Sequence, residues 1–425
     1  MITRRTFGTI AASAAATAIM TKLPMPALAQ AKAKVVVIGG GPGGATAAKY
    51  IAKDSASAID VTLVEPAKQF VTCFHSNLVL GGIRPLDSIT HTYDKLASGY
   101  GITMNHQMAK SIDRDKREVS LADGTKLAYD RLVVSPGIDL KYDSVPGWGR
   151  EHEEAMPHAW KAGPQTSLLK ARLDAVPDGG VIVMLAPPVP YRCPPGPYER
   201  VSMMAHVLKK AGKSKCKIII LDPKDKFSKQ AVFQEGWDRQ YPGMIEWITR
   251  SIYESVKSVD PKSNTVVTGF ETYKAALVNV IPAQKAAAIV TDAGLANETG
   301  YCPIMADSMK SAMDANIYIL GDATIAGAMP KSAFSANSQA KVAAMMVRGE
   351  LAKAQTFPAR YANTCWSMVD ADYTIKIGGR YEAKDGKIAE VEGFVSKPGE
   401  SADIRKQTQI ENMGWYSGIT ADIFS

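Results

Sequence analysis

Gly39, Gly41 and Gly44 stand between a β-branched run, Val35-Val36-Val37-Ile38, and a helix-forming segment, Ala45-Thr46-Ala47-Ala48-Lys49-Tyr50. Glycines at this spacing let the backbone turn sharply and approach a pyrophosphate, whose charge is met by the amides of the helix N-terminus. A second apolar run, Ile59-Asp60-Val61-Thr62-Leu63-Val64, ends on Glu65, where a carboxylate would accept hydrogen bonds from a ribose. The combination predicts a bound dinucleotide and by itself leaves FAD and NAD open. Sulfur is the other candidate reagent. Five cysteines, Cys73, Cys193, Cys216, Cys302 and Cys365, are scattered without a CxxC pair or a His/Cys cluster at metal-ligand spacing, which argues against zinc. Free cysteine also serves as a small buried hydrophobe. Packing is the preferred reading for Cys216, which opens an apolar strand, and for Cys302, in Gly300-Tyr301-Cys302-Pro303.

These residues need strands and helices to hold them. The strand, turn and helix pattern recurs where Val181-Ile182-Val183-Met184-Leu185 is followed, after a helical stretch, by Lys217-Ile218-Ile219-Ile220-Leu221-Asp222, and two such units imply two related α/β domains. In the second unit the turn reads Ala186-Pro187-Pro188-Val189-Pro190-Tyr191-Arg192-Cys193-Pro194-Pro195-Gly196-Pro197. Proline has no amide hydrogen and fixes φ, so this turn cannot offer a pyrophosphate a ring of backbone donors. The second domain is expected to keep its architecture without a nicotinamide site, and electrons should enter from a donor other than NADH. Two further segments echo each other as strands leading out of a nucleotide domain: Leu132-Val133-Val134-Ser135-Pro136-Gly137 and Val278-Asn279-Val280-Ile281-Pro282-Ala283. Asn316-Ile317-Tyr318-Ile319-Leu320 then reads as a strand ending on Gly321-Asp322, followed by an Ala-rich helix that includes Gln339 and Met346. Beyond residue 350 the pattern changes to short aromatic-containing segments, consistent with an interface domain.

At 425 residues the chain exceeds one ordinary core, so two or three domains are expected. Hydrophobic residues at 46% and charged residues at 22% are ordinary for a soluble globular enzyme and exclude a disordered chain. Residues 1–29 differ: Arg4-Arg5 precede an apolar Ala-rich stretch that ends in Ala27-Leu28-Ala29, the pattern of an export signal of the twin-arginine type. An ordinary secretory signal is the alternative. Removing it takes away Arg4, Arg5 and Lys22, lowering the formal net charge from +8 to +5. Mild basicity without a Lys/Arg stripe argues against nucleic acid and leaves room for an acidic protein partner. No later segment has the run of about 18 apolar residues that a spanning helix needs.

Five segments together spanning most of the chain resemble the flavoprotein subunit of flavocytochrome c sulfide dehydrogenase, within the disulfide-reductase superfamily. They are Val71-Thr72-Cys73-Phe74-His75-Ser76-Asn77, Arg192-Cys193-Pro194-Pro195-Gly196-Pro197-Tyr198-Glu199-Arg200, Met329-Pro330-Lys331-Ser332, Ser335-Ala336-Asn337-Ser338-Gln339 and Asn363-Thr364-Cys365. The resemblance implies an α/β fold with two Rossmann-like dinucleotide-binding domains plus a C-terminal interface domain. After the signal, residues 30–145 and 281–350 would bind FAD, 146–280 would form the NADH-like domain without a nicotinamide site, and 351–425 the interface domain. The Gly321-Asp322 strand end resembles the one that holds the ribityl chain in that superfamily, which selects FAD over NAD. Cys73 matches the cysteine bonded covalently to the flavin 8α-methyl group, while Cys193 and Cys365 match the redox-active disulfide beside the isoalloxazine. Glu199 matches a candidate proton acceptor, and Trp415 an aromatic close to the flavin. Lys331 joins Gly39, Gly41, Gly44, Glu65, Gly321 and Asp322 as a cofactor-binding candidate. For Glu199 a second reading stands, a surface carboxylate paired with Arg200.

The implied activity is FAD-dependent oxidation of sulfide to sulfur or polysulfide. Hydrosulfide attacks the disulfide in a thiol–disulfide exchange, and the flavin passes electrons to a separate c-type cytochrome subunit, since this chain has no CxxCH motif. The implied location is the periplasm and the implied assembly a heterodimer. Two alternatives remain: a sulfide:quinone oxidoreductase, for which residues 416–425 offer no clear amphipathic anchor, and a non-catalytic flavin-binding assembly protein.

Overall fold

A parallel strand buried on both faces needs apolar side chains pointing both ways, and β1 (Ala33–Ile38) supplies them with Val35, Val36, Val37 and Ile38, all buried. The computed structural model describes residues 32–425, and the export signal expected over residues 1–29 lies outside them. From β1 the chain turns through Gly39 and Gly41 into α1 (Pro42–Asp54) and returns as β2 (Ile59–Val64), parallel to β1. Pro42 suits that first helical turn, where its missing amide hydrogen has no partner to lose. After α2 (Ser76–Leu80), β3 (Thr103–Asn105) and β4 (Arg131–Val134) extend the sheet, and β5 (Ile138–Leu140) leads the chain out.

The second unit contains β6 (Val181–Leu185), α3 (Gly196–Lys210), β7 (Lys217–Asp222), β8 (Ile245–Thr249) and β9 (Leu277–Val280). Its four strands are parallel, in the order β8-β7-β6-β9. The chain returns as β10 (Gln284–Ala286), which pairs antiparallel with β5, placing Ile138 opposite Ala286. β11 (Asp314–Ile319) then re-enters the first sheet beside β4, giving the order β11-β4-β1-β2-β3 with the short strand Lys310–Ser311 outside it. Two parallel sheets with their covering helices give the α/β architecture expected from the paired strand–turn–helix patterns. α4 (Ala333–Ala352) lies over α1 through small side chains, with Ala340, Ala343 and Ala344 in one core with Ala45, Ala47 and Ala48, so the two helices approach closely.

The C-terminal region differs from the short segments expected. It holds an antiparallel sheet of β12 (Arg360–Asp370), β13 (Tyr373–Lys384) and β14 (Lys387–Val395), 11, 12 and 9 residues long, followed by the 23-residue helix α5 (Ala402–Phe424). Tyr361, Tyr373 and Tyr381 are buried positions of these continuous strands. The last turn of α5 rests on α1, where the Lys49 ammonium donates to the carbonyls of Ala421 and Asp422 at 3.4 and 2.9 Å. A cation there complements the negative pole of the helix end. Among the described residues no helix is long and apolar enough to cross a membrane.

Two buried histidines are locked in the neutral form. His158, in the segment between β5 and the second sheet, accepts the Trp160 amide on Nδ1 at 2.8 Å and turns Nε2 toward Glu153 at 3.4 Å. His75 accepts from Arg84 on Nδ1 at 2.9 Å and meets Asn412 Oδ1 through Nε2 at 2.9 Å. A ring that accepts on one nitrogen carries its proton on the other only. Glu153 favours the imidazolium of His158, but burial outweighs it and, with the charges of Arg200 and Lys161, lowers the pKa to about 3; burial does the same for His75, also to about 3. Because the unfolded rings protonate below 6.5 and the folded ones do not, stability is full above that pH and is lost as pH falls, by about 2 kcal/mol per histidine at pH 5. The urea midpoint should therefore drop between pH 7.5 and 5, and His158→Gln should flatten that drop. An equal drop in the variant would refute the assignment.

Candidate active site

At Gly39 φ is +96°, and a Cβ there would lie 2.3 Å from the Ser135 carbonyl oxygen. A Cβ on Gly44 would lie 1.8 Å from Gly39 O, so Gly44 closes the helix onto the strand, whereas Gly39 and Gly41 line a cavity of about 370 Å³. Gly43, which the spacing did not single out, lines it too, and a Cβ there would meet Ser135 Oγ at 2.4 Å. At the end of β2, Glu65 borders the same cavity, its two oxygens held by the amides of Gly40 at 2.8 Å and Ala67 at 3.0 Å. Asp322, in the turn after β11, is half-buried against the cavity, with Oδ2 3.8 Å from Arg192 and a buried Oδ1 without a partner. Burial raises its pKa, against the pull of Arg192 and Lys331. A buried carboxylate oxygen left over in this way calls for a donor, such as the hydroxyl of a polyol chain. The side-chain-free cradle, the fixed Glu65 and the unpartnered Asp322 oxygen together fit FAD.

Lys331 does not line this cavity. Its ammonium donates to Asp322 O at 2.9 Å and lies 4.0 Å from the centre of the Tyr301 ring, in a groove behind the Gly321-Asp322 turn. Its link to the site is thus through the backbone of that turn.

The other end of the cavity is lined by sulfur and aromatic groups: Cys73, Cys193 and Cys365, with Trp366 and Trp415. All five cysteines are free thiols in this structure. Cys193 sits in the proline-rich turn with φ +58°, its amide donating to Lys331 O at 2.8 Å. The Arg192 amide donates to Gln284 Oε1 at 2.9 Å and that of Gly196 to Cys193 O at 2.8 Å. Three of the turn's amides are thus engaged inside the protein and unavailable to a pyrophosphate. Cys365 arrives from β12, with Asn363 Nδ2 3.5 Å from its sulfur. Burial, then the proximity of Cys365, pushes the Cys193 thiol up; burial also raises Cys365, opposed by Asn363 and Lys229. Trp415, on α5, stacks on Trp366 at 5.1 Å, and its indole nitrogen has no partner. Cys216 and Cys302 are fully buried in apolar cores, where packing accounts for them.

Glu199 is not a surface carboxylate paired with Arg200. It is 8% exposed at the start of α3, and its oxygens accept from Asn77 Nδ2 and the Met368 amide, both at 2.9 Å. Burial raises its pKa despite those bonds. Arg200 turns away, toward Asn77, His158, Ala159 and Asn279. Residue spacing also gave no sign of Lys229, whose ammonium reaches Cys365 O at 3.1 Å. The signal was faint: a lysine between Ser228 and Gln230 reads as solvated loop.

Three regions of the chain match known protein families. Residues 33–166 match the family described as pyridine nucleotide-disulphide oxidoreductase. Residues 166–282 match the central region of the sulfide dehydrogenase [flavocytochrome c] flavoprotein chain, and residues 357–424 the flavin-binding region of flavocytochrome c sulphide dehydrogenase. The sulfide dehydrogenase [flavocytochrome c] flavoprotein chain of Chlorobaculum thiosulfatiphilum is 61% identical over 42 residues, 10% of this chain and 85% of that relative. Among solved structures, the sulfide:quinone oxidoreductase of Aquifex aeolicus shares the fold with a TM-score of 0.72 at 19% identity, covering 92% of this chain and 91% of that one. The NAD-dependent persulfide reductase of A. fulgidus does so with a TM-score of 0.61 at 16% identity, covering 89% and 77%. By its matched regions and by this relative, the chain belongs to the family of flavocytochrome c sulfide dehydrogenase flavoprotein chains.

Proposed function

We propose that this chain oxidises hydrosulfide at a disulfide between Cys193 and Cys365, with FAD attached through Cys73, and passes the electrons to a c-type cytochrome subunit in the periplasm. The observation that carries this reading is convergence: a cysteine from the turn before α3 and one from β12 line the cavity that Gly39, Gly41, Glu65 and Asp322 also line. FAD, when bound, accepts electrons in pairs and releases them singly, which suits a haem acceptor. Hydrosulfide forms a bond to Cys193 Sγ, the bond to Cys365 breaks, and the electron pair goes to Cys365 as thiolate, leaving a persulfide on Cys193. Glu199, its pKa raised by burial, can take the persulfide proton. A cytochrome partner is supported by the name of the family, and export by residues 1–29. A quinone acceptor is the second reading, favoured by the fold shared with the Aquifex aeolicus enzyme. Parallel assays with cytochrome c and a soluble quinone separate the two, and rapid bleaching of the flavin by sulfide excludes a non-catalytic role.

NADH and NADPH should reduce the flavin negligibly, because the turn over residues 187–197 has no free ring of amides. Stopped-flow reduction by NADH at a rate matching that of sulfide would overturn this.

Acid precipitation of the wild type should leave the flavin in the pellet, and Cys73→Ser should release it to the supernatant. Release from the wild type would disprove the attachment without touching FAD binding itself.

Cys193→Ser and Cys365→Ser should each keep FAD, since a bridge contributes at most a few kcal/mol. Sulfide-dependent acceptor reduction should nevertheless fall by roughly a hundredfold or more. Near-normal turnover in Cys193→Ser would make that cysteine structural.

A further inference from the structure

Lys229 precedes the helix Gln230–Gln240 in a left-handed conformation, φ +62°, and is only 6% exposed. An ammonium carries three donors and is costly to bury without a counter-charge. Here two are met by neutral acceptors, Cys365 O at 3.1 Å and Ser367 Oγ at 2.8 Å, and among the described residues Lys229 forms no ion pair with a carboxylate. The Phe233 ring lies 5.7 Å away and adds only a weak attraction. Both hydrogen bonds go to β12, to the backbone of Cys365 itself and to Ser367, and against burial the charges of Cys365, Glu199 and Cys193 hold its proton on. Glu199 is already held by Asn77 and Met368. The missing counter-charge is therefore best supplied from Cys365.

We infer that Lys229 is a positioning cation for sulfur exchange: it stabilises the thiolate that leaves at Cys365, and so directs hydrosulfide to Cys193. The inference rests on the disulfide reading above. In the exchange one S–S bond forms at Cys193 and one breaks, and the negative charge that enters on hydrosulfide ends on Cys365 Sγ, where the Lys229 ammonium balances it. With both sulfurs in the disulfide no thiolate faces Lys229, and burial, which lowers its pKa to about 8, acts with less opposition. Cleavage restores the opposing charge and holds the proton on Lys229. Attack on Cys365 instead would place the thiolate on Cys193, in the turn before α3, whereas the hydrogen bonds of Lys229 go to β12, the strand that carries Cys365.

The test uses the FAD-loaded protein reduced anaerobically with a phosphine, with iodoacetamide alkylation of each cysteine followed by peptide mass spectrometry across pH. In the wild type Cys365 should alkylate at lower pH than Cys193, a comparison that needs no variant; the opposite order overturns the inference. Lys229→Gln, which keeps the hydrogen bonding and removes the charge, should slow Cys365 alkylation at neutral pH about tenfold and shift its profile to higher pH, with FAD content unchanged. Lys229→Arg should restore the profile. An unchanged Cys365 profile in Lys229→Gln overturns the inference. Peptide mapping of the unreduced wild type tests the underlying reading separately: if Cys193 and Cys365 are not linked, the disulfide proposal fails, whatever Lys229 does to the Cys365 thiol.

Discussion

Arg200 is the constraint on which the cavity's walls depend. It is 1% exposed, and its donors go to Asn77 Oδ1 at 3.2 Å, His158 O at 2.7 Å, Ala159 O at 2.6 Å and Asn279 Oδ1 at 3.2 Å. The guanidinium also lies 5.0 Å from the centre of the Trp160 ring. No single acceptor is charged, and burial lowers the pKa to about 9. A desolvated cation of this kind is tolerable only while all of its acceptors stay in place, because losing one exposes an uncompensated cost of several kcal/mol. The four acceptors come from α2, from the segment between the two units and from β9. One side chain thus ties the position of α2, beside Cys73, to the sheet behind Cys193.

The tie continues through Asn77. Its amide oxygen accepts from Arg200, and its nitrogen donates to Glu199 and to Gly196 O. Glu199 in turn receives the Met368 amide of β12, the strand that brings Cys365. An asparagine, able to donate and accept at once, keeps the cation and the carboxylate apart while holding both. Direct pairing would have lowered the pKa of Glu199 and occupied lone pairs that now stay free. The same logic holds at Asp322, which Lys331 supports through its backbone carbonyl and so leaves one carboxylate oxygen uncommitted.

Legibility from sequence followed locality. The glycine turn, Glu65 at the end of β2 and Asp322 after β11 were readable because strand, turn and helix follow one another within a short stretch. The proline-filled turn was readable because the lost donors are a property of the residue itself. Lys331 was credited with the cofactor since it belongs to a matched segment, yet direction of approach is a tertiary fact, and its ammonium reaches the site from behind. Asn77, Arg200 and Lys229 escaped for a related reason: their partners lie between 41 and 138 positions away, as for Arg200 with Ala159 and Lys229 with Ser367. The long strands β12 and β13 were missed because their buried tyrosines fall among glycines and charges, which obscures the alternation of a half-buried sheet.

The return of β11 to the first sheet has a consequence for how the protein is made. β4 must wait for a neighbour that follows it by the whole second unit, and α1 must wait for α4 and for the last turn of α5 to cover it. At ribosomal speeds of about 5–20 residues per second, the interval between the two strands is roughly ten to forty seconds. During that time the apolar faces of β4 and α1 lack their native cover. The second sheet, contiguous from β6 to β9, can close first and on its own schedule. Nascent chains should thus pass through a stage in which the later-encoded half is ordered and the earlier-encoded half is exposed, the very surface a chaperone would hold.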